Sequence, residues 1–244
     1  MYFIDHLAYS SSLRKVEPNQ KFIFSLSTML VVLLAKNYIV PIAVILFMGI
    51  IIMKKGGTSA QNFVKALFLP FFFLVMGVLP VMLQVEIQEG FKIYGTWKGF
   101  YDALFLVVRA LAAVTCLYFF ILTTPMVDTL QLLKKYKCPI LIRELMFLMY
   151  RFIMLLTEIT TKIFFAQKSR GGYYNTTNSR QALSQLVASL FLGLHQRSKE
   201  SYQGLIARGY QGEIDLLIVE YENSPKNWCF IMITQVVLVF LLMI

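Results

Sequence analysis

Acidic side chains are scarce in this chain of 244 residues: 13 Asp and Glu stand against 23 Lys and Arg, a formal charge of +10. Charged residues of both signs make up only 15% of the sequence, whereas 58% is apolar and 15% aromatic. Ordinary soluble domains are about 25% charged, so the balance excludes that class and points to a membrane protein. Cysteine is rare as well. Cys116, Cys138 and Cys229 have no paired spacing, and the first and last lie in apolar runs, so neither disulfides nor a thiolate metal cage is expected. The two histidines, His6 and His195, fall in unlike segments. A transition-metal site needs several converging N, O or S donors, so no metal site is expected in this chain. There is no G-x-x-x-x-G-K-[ST] phosphate loop, so the chain is not itself an ATP-driven motor. The opening MYFIDHLAYSSSLRK has no long apolar core before Arg14, which argues against a cleaved signal peptide. In such a protein the basic excess reports orientation and anionic lipid rather than nucleic acid.

What the chain does have is long apolar runs. Residues 22–53 are apolar apart from Lys36, Asn37 and a few hydroxyls. As one helix they would reach roughly 48 Å, against a hydrocarbon core of about 30 Å, so the run is expected to reverse at Lys36-Asn37. Pro18 suits the first turn of the first span, and Lys21 can snorkel to the interface. The second span is Tyr38 to Met53, the third Ala66 to Val85 with kinks at Pro70 and Pro80, the fourth Ala103 to Thr124, and the fifth Trp228 to Ile244. Between the third and fourth, the segment Glu86 to Asp102 carries Tyr94, Trp97 and Tyr101 as interfacial aromatics. Arg109, within the fourth span, is assigned a structural role, snorkelling or pairing with Glu86 or Glu89.

Residues 125–227 offer no clean charge-free stretch long enough to span. Placing them in the cytoplasm puts six short-loop cations (Arg14, Lys15, Lys21, Lys54, Lys55, Lys65) inside and three (Lys36, Lys92, Lys98) outside. The N-terminus is then cytoplasmic and the C-terminus external. Within this region MVDTLQLLKKYKCP reads as a short amphipathic helix on the membrane surface, stopped ahead of Pro139. An almost unbroken helical stretch follows from Ile140 toward Arg170, too apolar for a solvated arm and too charged for an ordinary span. Arg151 and Glu158 share a face of it. After a polar turn, Leu183, Leu186, Val187, Leu190, Phe191 and Leu194 recur at helical spacing, and the stripe runs on to Ile206.

Both long helices end alike. Ser169-Arg170-Gly171 and Ala207-Arg208-Gly209 lie 38 positions apart. Arg in a last turn and Gly just beyond it are a helix C-cap signature, and a lone pair of this kind is best read as a cap. Two of them in one cytoplasmic segment carry more: two rigid helix ends projecting guanidinium groups toward one partner with acidic grooves. The small neighbours Ser169, Gly171, Ala207 and Gly209 let a partner's backbone approach.

The order Thr123-Thr124-Pro125, basic short helix, Pro139, LMYRF at 148–152, Glu158, Ser-Arg-Gly at 169–171, and Ala-Arg-Gly at 207–209 followed by YQGE resembles the transmembrane T component of energy-coupling-factor transporters. The N-terminal IDHLAYSSSLRKVEP is similar to the cobalt-type, CbiQ-like members. Ser169 departs from the usual Ala. The resemblance implies an all-α integral membrane protein with about five transmembrane helices plus long cytoplasmic coupling helices. Residues 1–124 would form four spans, 125–227 the cytoplasmic coupling-helix region and 228–244 the last span. It further implies a scaffold in the prokaryotic cell membrane that joins a substrate-binding membrane subunit to a cytoplasmic ATPase dimer, with Arg170 and Arg208 in ATPase grooves. ATP would be bound by those partners, and the chain itself would be non-catalytic and without a cofactor.

Two other classes differ in what they require. The permease of a conventional ATP-driven importer usually couples through one short loop between spans, which two Arg-Gly ends argue against. An intramembrane enzyme needs facing acid, base or nucleophile groups, and apart from Arg109 the spans offer none.

Overall fold

A computed structural model describes residues 2–86, 92–95, 97–210, 221 and 225–243. Gln211, Gly212, Glu213 and Glu89, which entered the sequence reading, lie outside the described residues. The chain divides into two compact units, residues 1–129 with 219–244, and residues 130–218.

The first unit opens with α1 (Tyr2–Ser10) and a 3-10 turn (Ser12–Lys15). The apolar run then splits into α2 (Pro18–Leu34) and α3 (Ile39–Lys54), reversing across Lys36-Asn37 as its length requires. Pro18 occupies the first turn of α2, where its missing N–H costs nothing. Next come α4 (Ala60–Met82), with Pro70 and Pro80 inside it, and α5 (Trp97–Thr123). Of the long C-terminal segment, α9 (Pro225–Met243) belongs to this unit. Among the described residues, three helices are long and apolar enough to cross a membrane, within α4, α5 and α9, while α2 and α3 are shorter apolar helices. At 1.5 Å per residue, α2 and α3 reach roughly 24–26 Å, just short of a hydrocarbon core of about 30 Å.

Two features depart from the sequence reading. Span three stops at Met82, and Leu83–Glu86 (β1) pairs antiparallel with Lys92–Gly95 (β2), Leu83 opposite Gly95 and Glu86 opposite Lys92. The alternation Leu-Gln-Val-Glu has a period of two, which suits a ribbon rather than a helix. The second departure is Lys21. It does not snorkel: it is 3% exposed, and its Nζ donates to the carbonyls of Leu13 (3.3 Å) and Thr123 (2.8 Å).

Helix α5 is the hub, packed against α2, α3 and α4. Ala112 and Cys116 are fully buried on it, small enough for Val44, Met48 and Ile52 of α3 to enter the same core. With apolar solvent outside and apolar side chains inside, burial alone gives helices little reason to associate, and hydrogen bonds between them matter more. Ser25 Oγ donates to the Cys116 carbonyl (2.6 Å), and Tyr118 Oη donates to that of Ala66 (3.0 Å). Gln235 Nε2 donates to Ser27 Oγ (2.7 Å) and Thr28 Oγ1 (2.9 Å), fastening α9 to α2. Arg109 lies over Phe105, 5.9 Å from its ring centroid.

Helix α6 (Met126–Lys135) leads from the first unit into the second. Asp128 stands in its first turn and Lys134 and Lys135 in its last, signs that complement the helix dipole.

Candidate functional site at two arginine-bearing helix ends

The second unit is built on α7 (Ile140–Ser169) and α8 (Thr176–Ala207), which run antiparallel. Each is continuous because it lacks proline and draws on strong helix formers through its middle. At the closed end, Gln167 Nε2 donates to the Ala182 carbonyl (2.9 Å), and Tyr173 Oη donates to Gln167 Oε1 (2.9 Å). Ala182 and Leu186 are the buried residues of α8, and a Cβ at Gly172 would stand 3.3 Å from that of Ala182. At the open end, Tyr210 Oη donates to Glu144 Oε2 (2.9 Å). The two partners are 66 residues apart, so helical spacing alone does not pair them.

Both helices close with the same backbone device. In α7 the Gly172 N–H donates to the Gln167 carbonyl (2.9 Å) and the Gly171 N–H to that of Lys168 (3.1 Å), with Gly171 at φ +74°. In α8 the Tyr210 N–H donates to Leu205 (3.0 Å) and the Gly209 N–H to Ile206 (2.9 Å), with Gly209 at φ +78°. These are two Schellman closures, in which a left-handed residue satisfies the last carbonyls of the helix. Each fixes the backbone of the Arg immediately before its glycine.

Ser169, Arg170, Gly171, Ala207, Arg208 and Gly209 are all exposed. Neither guanidinium has a hydrogen-bond or ion-pair partner among the described residues. The two tips do not converge, however. Because Tyr210 sits beside Glu144 near the start of α7, Arg208 lies close to one end of the hairpin and Arg170 at the other. The 26 residues from Glu144 to Arg170 measure on the order of 40 Å along a helix. The two tips are therefore separate positions on one antiparallel pair of helices.

Glycine at the two tips serves conformation, since a Cβ at Gly171 or Gly209 would meet nothing within 4 Å. Gly171→Ala and Gly209→Ala should each weaken their helix end by about 1 kcal/mol, the cost of a left-handed L-residue. Amide exchange in the last turn of α7 or α8 would report this as roughly fivefold faster exchange. Gly193→Ala, at an equally open position inside α8, should slow exchange instead. Equal acceleration at all three positions would remove the conformational explanation.

Glu158 pairs with Lys162, one turn on (2.6 Å). The apolar stripe of α8 is only narrowly covered: Leu183, Val187, Phe191 and Ile206 are exposed, Phe191 to 74%. On α7, Leu141, Leu145 and Met149 are exposed too. Solvent-facing apolar stripes of this extent mark contact with lipid or protein. No group of three His, Cys, Asp or Glu side chains positioned to hold a metal occurs among the described residues.

Residues 9–218 match the family described as CbiQ, cobalt transport protein. The chain belongs to that family. An uncharacterized protein of Methanocaldococcus jannaschii is 30% identical to it, over 98% of this chain and 91% of the relative. The cobalt transport protein CbiQ of Salmonella typhimurium is 24% identical, over 87% and 99%. The energy-coupling factor transporter transmembrane protein EcfT of Staphylococcus aureus is 24% identical, over 86% and 83%. Family and apolar helices together make this an integral membrane protein.

Proposed function

We propose that this chain is the transmembrane scaffold subunit of an ATP-driven energy-coupling-factor importer for cobalt. It transmits motion from a cytoplasmic ATPase dimer to a substrate-binding membrane subunit. The observation that supports this reading is the pair of exposed arginines, without a partner among the described residues, at opposite ends of one stiff helical hairpin, Arg170 and Arg208. Two grooves, one on each ATPase, suit two tips on the order of 40 Å apart, and closure of the ATPases on ATP then reaches both ends of the hairpin together. Planar guanidinium groups engage carboxylates in bidentate fashion and keep their charge at any cellular pH. The small flanks Ser169, Gly171, Ala207 and Gly209 leave room for the groove walls.

In this assignment residues 1–124 and 228–244 lie in the membrane, and residues 125–227 form the cytoplasmic coupling region. The N-terminus is cytoplasmic and the C-terminus external. The exposed apolar faces of α7 and α8 are covered by lipid and by the substrate-binding subunit. The chain does no chemistry of its own. It carries no cofactor, and ATP is held by its partners.

The test is uptake of radiolabelled cobalt and nickel by cells expressing this chain and its substrate-binding subunit, with and without the candidate ATPase. Cobalt accumulation should require both the chain and the ATPase, and the ATPase should copurify with the chain from detergent extracts. Cobalt uptake that persists without the ATPase, or nickel uptake in place of cobalt, would reject the assignment as stated.

A further inference from the structure

We propose that the membrane unit carries a binding site for the headgroup phosphate and adjoining hydrocarbon of an anionic phospholipid, a site beyond the transport reading and independent of it. A cavity of about 460 Å³, counting its open mouth, lies where α2 and α9 begin and α3 and α5 end. It sits at one end of an apolar helical bundle, where hydrocarbon gives way to headgroups. Phe24, Ile51, Phe119 and Ile231 supply apolar walls. Two lysines, Lys21 and Lys55, supply the charge, and no Asp or Glu is among the described residues that line the cavity.

The lysines are positioned rather than merely nearby. Lys55 is exposed at the C-cap of α3, and its Nζ stands 4.9 Å from the centroid of the Phe230 ring, another wall residue. A cation over an aromatic face is held electrostatically, and here it is held at the mouth of the cavity. Lys21 is buried, and its ammonium spends two donors on the Leu13 and Thr123 carbonyls. An ammonium has three donors, so one remains for a ligand.

Charge and lining together select the occupant. Two cations, with no carboxylate among the described lining residues, make a poor site for a divalent metal ion. Apolar walls give a small hydrophilic anion nothing to bury. A negatively charged headgroup on a hydrocarbon chain satisfies both surfaces, and Lys and Arg near a membrane surface are each attracted to anionic lipid.

The experiment uses the full chain in dodecylmaltoside micelles doped with phosphatidylglycerol or phosphatidylcholine, or undoped with inorganic phosphate in the buffer. Retained lipid after washing is counted by mass spectrometry, and the midpoint of thermal unfolding is recorded for each. Phosphatidylglycerol should be retained and raise the midpoint, whereas phosphatidylcholine and inorganic phosphate should do neither. Lys55→Glu should lower retained phosphatidylglycerol by at least about fivefold, the factor one cation near an anionic surface is worth. Lys55→Arg should keep it. Lys54→Glu makes the same charge change one residue away, outside the cavity lining, and should leave retention unchanged. Three results would overturn the site: equal retention of both lipids, the same stabilisation by inorganic phosphate alone, or equal losses in the Lys54 and Lys55 variants.

Discussion

Reversing both tips, Arg170→Glu with Arg208→Glu, abolishes ATP-dependent uptake and ATPase copurification while the chain still inserts and folds. The fold survives because neither side chain contributes to it: both are exposed and have no partner among the described residues. Each helix end loses only the favourable interaction of a cation with its dipole, about 0.3–1 kcal/mol, and the glycine closures remain. At the contact the effect is far larger. A charge pair broken at an interface costs roughly 2–5 kcal/mol, and replacing the cation by a carboxylate adds repulsion against an acidic groove. That corresponds to a loss of at least about thirtyfold in affinity per tip. Since the tips lie on the order of 40 Å apart, the two losses should add rather than overlap. Arg→Lys at either position keeps the charge but not the planar fork, and should fall between wild type and the reversal. Uptake, ATPase pull-down and circular dichroism on the same preparations check all three variants. Normal uptake by the doubly reversed chain would end the idea that these arginines couple anything.

Much of this was legible because it depends on local pattern. A helix end is written in three or four residues, so the two Arg-Gly closures could be read directly, and positive φ at Gly171 and Gly209 follows from the absence of a side chain. The reversal between α2 and α3 was also legible, since 32 apolar residues are too long for one span and Lys36-Asn37 breaks the run. What could not be read was anything set by contacts distant in sequence. The separation of Arg170 from Arg208 depends on α7 and α8 lying antiparallel, which the Gln167 bond to Ala182 and the Tyr210 bond to Glu144 reveal and periodicity does not. The α8 stripe illustrates the same limit. Spacing identified Leu183, Val187 and Phe191 as one face, but not that this chain would leave that face open.

Lys21 is the clearest case, and it yields the largest expected loss of stability. Lys21→Met should destabilise the membrane unit by about 1–3 kcal/mol, the cost of leaving the buried Thr123 carbonyl without its donor, whereas the Leu13 carbonyl keeps the Val16 N–H (3.1 Å). Thr123 ends α5 two residues ahead of Pro125, so Lys21 acts as the cationic cap of the hub helix. The loss should also depend on pH through Asp128, which is fully buried 3.9 Å from Arg14. Burial pushes the Asp128 carboxyl above its ordinary value, while the Tyr221 phenol and the Arg14 and Lys21 cations pull it part of the way back. A raised carboxyl means that the folded state prefers the protonated form. Its contribution is therefore fully present below the ordinary carboxylate range near about 4 and is lost as pH rises through the raised value. Removing Lys21 removes one of the charges that offset this loss. The gap between Lys21→Met and wild type should accordingly be wider at pH 7.5 than at pH 4.5, in thermal midpoints measured in detergent. Lys15→Met, an exposed neighbour, should show neither the loss nor its pH dependence. A gap of the same size at both pH values would detach Lys21 from the Asp128 cluster and leave it only its two carbonyls.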